Sequence, residues 1–143
     1  MASHIETTLR GRDLLRHPIL GKGTAFSHEE RHDLNLDGLL PHEVETIDHQ
    51  LERVHIALDL HTDDLAKHIY LRQVQERSRI IFYRYLLANM EEVLPIVYTP
   101  TVGQACEQFS RIYRIPHGLF VAYPDIDRID HMIANYGAER IQV

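Results

Sequence analysis

Ile80-Ile81-Phe82-Tyr83-Arg84-Tyr85-Leu86-Leu87 is the stretch on which the fold turns. It is apolar on nearly every side, which predicts a helix lying in the core rather than along a surface. It closes a helical pattern that opens at Thr62-Asp63-Asp64, where a capping hydroxyl and two acids suit the positive end of a helix. That pattern runs to Asn89 with a break near Ser78. Upstream, from about Glu45, the residues Ile47, Leu51, Val54 and Leu58 recur at helical spacing and define one buried face. Ser27-His28-Glu29-Glu30 has the spacing of a capping box and predicts the start of a short helix. Gly38-Leu39-Leu40-Pro41 reads as a turn carrying two apolar plugs. Residues 1–26 are polar, punctuated by Gly11, Gly21 and Gly23, and are expected to wrap a surface with little regular structure.

The character changes after Arg114. Pro116-His117-Gly118 reads as a turn and Leu119-Phe120-Val121-Ala122-Tyr123 as a buried strand. Ile126, Ile129 and Ile133 suggest one short helix closed by Gly137, and Arg140-Ile141-Gln142-Val143 looks like another strand. Strand, helix, strand is the opening unit of an α/β layer, and two strands cannot complete a sheet. The expected fold class is therefore a mainly α N-terminal helical domain over residues 1–115. The first β-α-β elements of a truncated α/β domain follow over 116–143, so the chain is expected to end short of its natural boundary.

Composition narrows the function. The chain has 143 residues, 44% hydrophobic and 25% charged, the balance of a soluble globular protein. Its net charge of -6 argues against nucleic-acid binding and a polybasic membrane role, both of which need a concentrated positive field. Cys106 is the only cysteine, so no intrachain disulfide forms and a reducing compartment is expected. No run is apolar enough to span a bilayer, and the first residues lack the core of a secretory signal. The expectation is a soluble, cytoplasmic protein.

The chemically informative segment is Leu94-Pro95-Ile96-Val97-Tyr98-Thr99-Pro100-Thr101-Val102-Gly103. Pro100 pushes Thr99 into the extended conformation of an N-cap and itself suits the first helical position. Val102, Ala105, Phe109 and Ile112 continue as the apolar face of that helix. Tyr98 is thus expected just before a helix end whose free N–H groups favour an anion. A phenol there could donate a proton to a carboxylate-bearing substrate. A free phenol titrates near ~10, so it would need a nearby cation, and no lysine of this chain can be assigned. The competing reading is a hydrogen-bonded core tyrosine. His28-Glu29-Glu30-Arg31-His32 also matches the zinc-protease spacing His-Glu-x-x-His, but the segment is polar throughout and begins at a capping serine. It reads as a surface helix. His42, His49, His55, His61 and His68 are scattered without ligand spacing and are expected to be solvated.

Several motifs together resemble the malic enzymes. They are Lys22-Gly23-Thr24-Ala25-Phe26, Glu30-Arg31, Gly38-Leu39-Leu40-Pro41, Gln75-Glu76-Arg77, Phe82-Tyr83 and Pro95 to Gly103. The resemblance implies a helical N-terminal domain ahead of a larger α/β region. It implies oxidative decarboxylation of L-malate to pyruvate and carbon dioxide with NAD or NADP and Mg2+ or Mn2+. It further implies that Tyr98 is the general acid that protonates the enol of pyruvate, with a partner lysine beyond Val143. The family's lysine base, metal ligands and dinucleotide loop lie further along, so neither cofactor nor metal is expected on this chain, and alone it is expected to be inactive. A homodimer or homotetramer is implied as well. Some malic enzymes bind fumarate through two arginines and an acid, and the motifs put these at Arg53, Arg77 and Glu45. Ser78 stands where the family commonly has asparagine and Ile115 where it often has a second arginine, which weakens the transfer of regulation. The alternatives are a helical dimerisation and effector-binding module, or the N-terminal part of a malolactic enzyme. The latter relatives typically lack the intact Tyr-Thr-Pro-Thr-Val-Gly run.

Overall fold

The computed structural model describes residues 5–115 and 118–137 and divides the chain into two compact units, Met1–Ile112 and Tyr113–Val143. The first unit is helical. Its elements are α1 (Gly11–Arg16), a 3-10 turn (Gly23–Ala25), α2 (His28–Asp33), α3 (Ile47–Asp59), α4 (Asp64–Arg77), α5 (Arg79–Ala88), α6 (Met90–Val97), α7 (Thr101–Glu107) and α8 (Phe109–Ile112).

Local chemistry sets most boundaries. Ser27 and Glu30 form the reciprocal capping box at the start of α2, an arrangement whose serine alone contributes about 1 kcal/mol. Thr46 caps α3 through the His49 N–H. At α4 the cap is Asp63, which accepts from the Ala66 N–H at 2.8 Å, and not the expected Thr62. A carboxylate at that position gains from the helix dipole as well as from the hydrogen bond, and an adjacent hydroxyl gains less. Ser78 makes the predicted break: its N–H closes α4 on the Val74 carbonyl at 2.8 Å, and its side chain opens α5 by accepting from the Ile81 N–H.

The main core joins α3, α4, α5 and α6 through Val54, Leu58, Leu71, Ile81, Phe82, Tyr85, Val93 and Ile96. The predicted apolar face of α3 is present, with Val54 and Leu58 buried and Ile47 and Leu51 packed at the margin. Helix α4 lies at the centre, packing against α3, α5, α6 and α7. Helix α5 corrects the reading of residues 80–87 as core on all sides. Ile81, Phe82 and Tyr85 are buried, whereas Ile80, Tyr83 and Leu87 face outward, Leu87 with 71% exposure. A ten-residue helix set against the rest of the bundle covers only one of its faces.

Residues 1–26 are also more ordered than expected. Leu14 in α1, Phe26 and Leu36 build a second small core, with Leu9, Leu15, Leu20, Leu34 and Leu40 around it. Only Leu40 of the Gly38–Pro41 turn packs there, since Leu39 is exposed. Arg31 stitches this lobe together from a buried position. Its guanidinium donates to the carbonyls of Thr24, Phe26, Pro41, His42 and Glu43 at 2.6 to 3.0 Å. Five carbonyls on two loops are satisfied by one planar fork, which an ammonium cannot reproduce.

In the second unit a 3-10 helix (Tyr123–Arg128) leads into α9 (Ile129–Tyr136), which ends on Gly137 in the left-handed conformation at φ 68°, the position predicted for that glycine. The expected strand over Leu119–Tyr123 is not formed. Ala122 is extended, but no neighbouring strand exists among the described residues to pair with it, and the chain turns into the 3-10 helix at Tyr123-Pro124. Part of the predicted turn (Pro116 and His117) and the second strand (140–143) lie outside the described residues.

Replacing Arg31 by lysine is expected to lower the unfolding free energy by roughly 2–4 kcal/mol, because several buried carbonyls lose their donor. Urea denaturation measures this, and an unchanged midpoint would show that the fork is dispensable.

Candidate functional site

Tyr98 sits in the connection between α6 and α7. Pro95 removes one N–H from α6 and the helix ends two residues later, at Val97. Tyr98 is extended and its own N–H bonds back to the Leu94 carbonyl at 2.9 Å. Its carbonyl accepts from the Val102 N–H at 2.9 Å, the first bond leading into α7. Both backbone groups of Tyr98 are therefore clamped while its ring is 63% exposed. That exposure removes the reading of Tyr98 as a core tyrosine.

The start of α7 differs from the sequence expectation. Helix α7 starts at Thr101, with Pro100 at the cap position and the Thr99–Pro100 peptide cis. The N–H groups of Val102 and Gly103 are taken by Tyr98 and Pro100 carbonyls, so they are not free for an anion. The continuing apolar face is also shorter than predicted: Ala105 is buried, but α7 stops at Glu107 and Phe109 is largely exposed in α8.

The residue that holds this connection from below was missed. His68, expected to be solvated, is buried on α4, and its Nδ1 lies 2.9 Å from the Ile96 carbonyl. A carbonyl only accepts, so Nδ1 carries the proton. The bond satisfies a carbonyl in the last turn of α6, two residues before Tyr98. A histidine at a position facing α6 was the only sequence signal, and nothing in its spacing distinguished it from the exposed ones.

Glu45 and Arg53 are brought together and Arg77 is not joined to them. Arg53 Nη1 donates to both Glu45 carboxylate oxygens at 2.5 Å, and Thr24 Oγ1 donates to the same carboxylate. The Arg53 hydrogen bond, then that of Thr24, holds the Glu45 carboxyl below its usual range. Beside this pair, Gly23 has a φ of +57°, a conformation that suits glycine, and a Cβ there would lie 2.7 Å from Gln50 Oε1. Arg77 is exposed in the last turn of α4, where its charge acts on Tyr70. Among the described residues no hydrogen bond or ion pair links Arg77 to Arg53 or Glu45. A dicarboxylate would have to displace Glu45 to engage Arg53 fully.

The His28 to His32 segment has no metal geometry. Glu30 serves the capping box and Lys22, Arg31 is the buried fork, and His32 faces Asp37 at 3.3 Å. Among the described residues the one group of three side chains close enough to share an ion is His55, Asp59 and Glu92.

Comparison with known proteins bears on these residues. The family model described as "Malic enzyme, N-terminal domain" matches residues 75–143, a range that includes Tyr98. The chain is 48% identical over 133 residues to the NAD-dependent malic enzyme of Pseudomonas aeruginosa (strain LESB58). It is 50% identical over 133 residues to those named likewise from Aeromonas hydrophila subsp. hydrophila and Psychromonas ingrahamii. Each alignment covers 93% of this chain and 24% of the relative, so the chain spans about a quarter of the length of the curated relatives it matches. With that identity across nearly all of its length, the chain carries a malic enzyme N-terminal domain.

Proposed function

We propose that a protein carrying this chain oxidatively decarboxylates L-malate to pyruvate and carbon dioxide with NAD as hydride acceptor, and that Tyr98 is its proton donor. The observation that carries this reading is the clamp on Tyr98: main-chain bonds on both sides, an outward ring, and the run Tyr98 to Gly103 intact. Loss of carbon dioxide from the 2-keto acid leaves the enol of pyruvate, and a proton must reach C3. A hydroxyl held by rigid backbone at the end of a helix can deliver it with little reorganisation. The choice of NAD follows the names of the relatives.

A binding role accompanies this reading. Ile80, Tyr83 and Leu87 form an outward apolar row on α5, with exposures of 40%, 53% and 71%. Such a row is suited to a contact between copies of the chain. Leu87→Glu is expected to shift the assembled protein toward monomer in sedimentation velocity; an unchanged distribution argues for another contact face.

In the assembled enzyme, Tyr98→Phe is expected to lower kcat for malate by roughly 10²–10⁴ while KM moves far less. The isolated chain is expected to yield no malate-dependent NADH, since base, metal ligands and hydride acceptor site are supplied elsewhere. Wild-type turnover in the phenylalanine variant, or activity of the chain alone, counts against the assignment.

A further inference from the structure

The imidazole of His55 is held from behind. Its Nδ1 lies 2.9 Å from the hydroxyl of Tyr85, which is 1% exposed in the main core. Burial, and then the negative charges of Glu92 and Asp59, push the Tyr85 phenol up to about 12, so it remains a neutral hydroxyl. The other ring nitrogen, Nε2, faces outward and lies 3.7 Å from Asp59 Oδ2, one turn further along α3. Glu92, in the first turn of α6, supplies a third ligand atom, and all three atoms fall within 4.8 Å of one another.

We propose that His55, Asp59 and Glu92 form a binding site for a divalent transition-metal ion of the zinc class, bridging α3 and α6. Tetrahedral zinc at ~2.0–2.2 Å from its ligands places them roughly 3.3–3.5 Å apart, so the His55–Asp59 pair already has nearly the required spacing. The exposed Glu92 side chain closes the remainder by rotation. All three groups are open to solvent, so water completes the coordination. Tyr85 plays the part that an outer-shell partner plays in metal sites: its oxygen accepts from Nδ1–H, which leaves Nε2 free as ligand and fixes the ring. Charge favours the same occupant. Two carboxylates around one imidazole keep an excess negative charge even when the ring is protonated, and a dication offsets both. An isolated histidine–aspartate pair one turn apart on an exposed helix is worth little alone. The imidazole ligand selects zinc over magnesium, which prefers an all-oxygen shell.

Isothermal titration of the purified chain with zinc chloride tests this, with circular dichroism to verify that each variant is folded. The expected result is one zinc per chain, lost in His55→Ala and weakened at least about tenfold in Glu92→Gln. The Tyr85→Phe variant is expected to weaken binding by about 10–100-fold while keeping the stoichiometry. His49→Ala, on the same helix, is expected to bind like the parent. Should His55→Ala fail to fold, Glu92→Gln decides. Absence of binding, equal binding in the His55 or Glu92 variant, or magnesium binding as tightly as zinc would each overturn the site.

Discussion

Helix α4 is packed on its sides by α3, α5, α6 and α7, and that enclosure governs the rest of the helical unit. A helix surrounded in this way cannot leave polar side chains facing its neighbours without partners. Leu71 meets the constraint by being apolar. His68 meets it by giving its Nδ1 proton to the Ile96 carbonyl. One hydrogen bond therefore links the central helix to the end of α6, where the backbone leaves the bundle to present Tyr98. The bond is buried, so its loss leaves a carbonyl unsatisfied in the same turn that positions the tyrosine.

The other lobe obeys a similar constraint with different chemistry. Its core of Leu14, Phe26 and Leu36 is small, and two irregular loops surround it. Loops near a core carry carbonyls that water reaches poorly, and Arg31 collects five of them. Holding Thr24 in this way also places its hydroxyl and carbonyl against Glu45, whose N–H bonds the Thr24 carbonyl at 3.1 Å. The Glu45–Arg53 pair thus rests on a scaffold fixed by Arg31. Arg53 is already satisfied in that scaffold, which gives the arginine a structural role whatever else it binds.

Much of this was legible in the sequence. The capping box at Ser27, the break at Ser78, the buried face of α3 and the closure at Gly137 follow from local hydrogen bonding and helical spacing, which act over a few residues. What was not legible depends on neighbours far along the chain. Whether residues 80–87 are covered on one face or all round is decided by the number of helices packed against them. Leu119 to Tyr123 had the composition of a strand, but a strand forms only with a partner to pair with. His55 and His68 look alike as letters, yet one is buried against α6 and the other opens to solvent beside two carboxylates. At the candidate site, Tyr98 stood out in the sequence through the run it begins, and the clamp that holds its backbone did not. That clamp depends on where Pro95 ends α6 and on where α7 starts.

The proposed role of Tyr98, clamped and facing outward, is to exchange a proton with C3 of the pyruvate enol. Enol protonation runs in both directions, so the assembled enzyme should wash deuterium from solvent into the methyl group of pyruvate, followed by proton magnetic resonance. Tyr98→Phe is expected to abolish this exchange while reduction of oxaloacetate to malate persists. Exchange at the wild-type rate in that variant would contradict it.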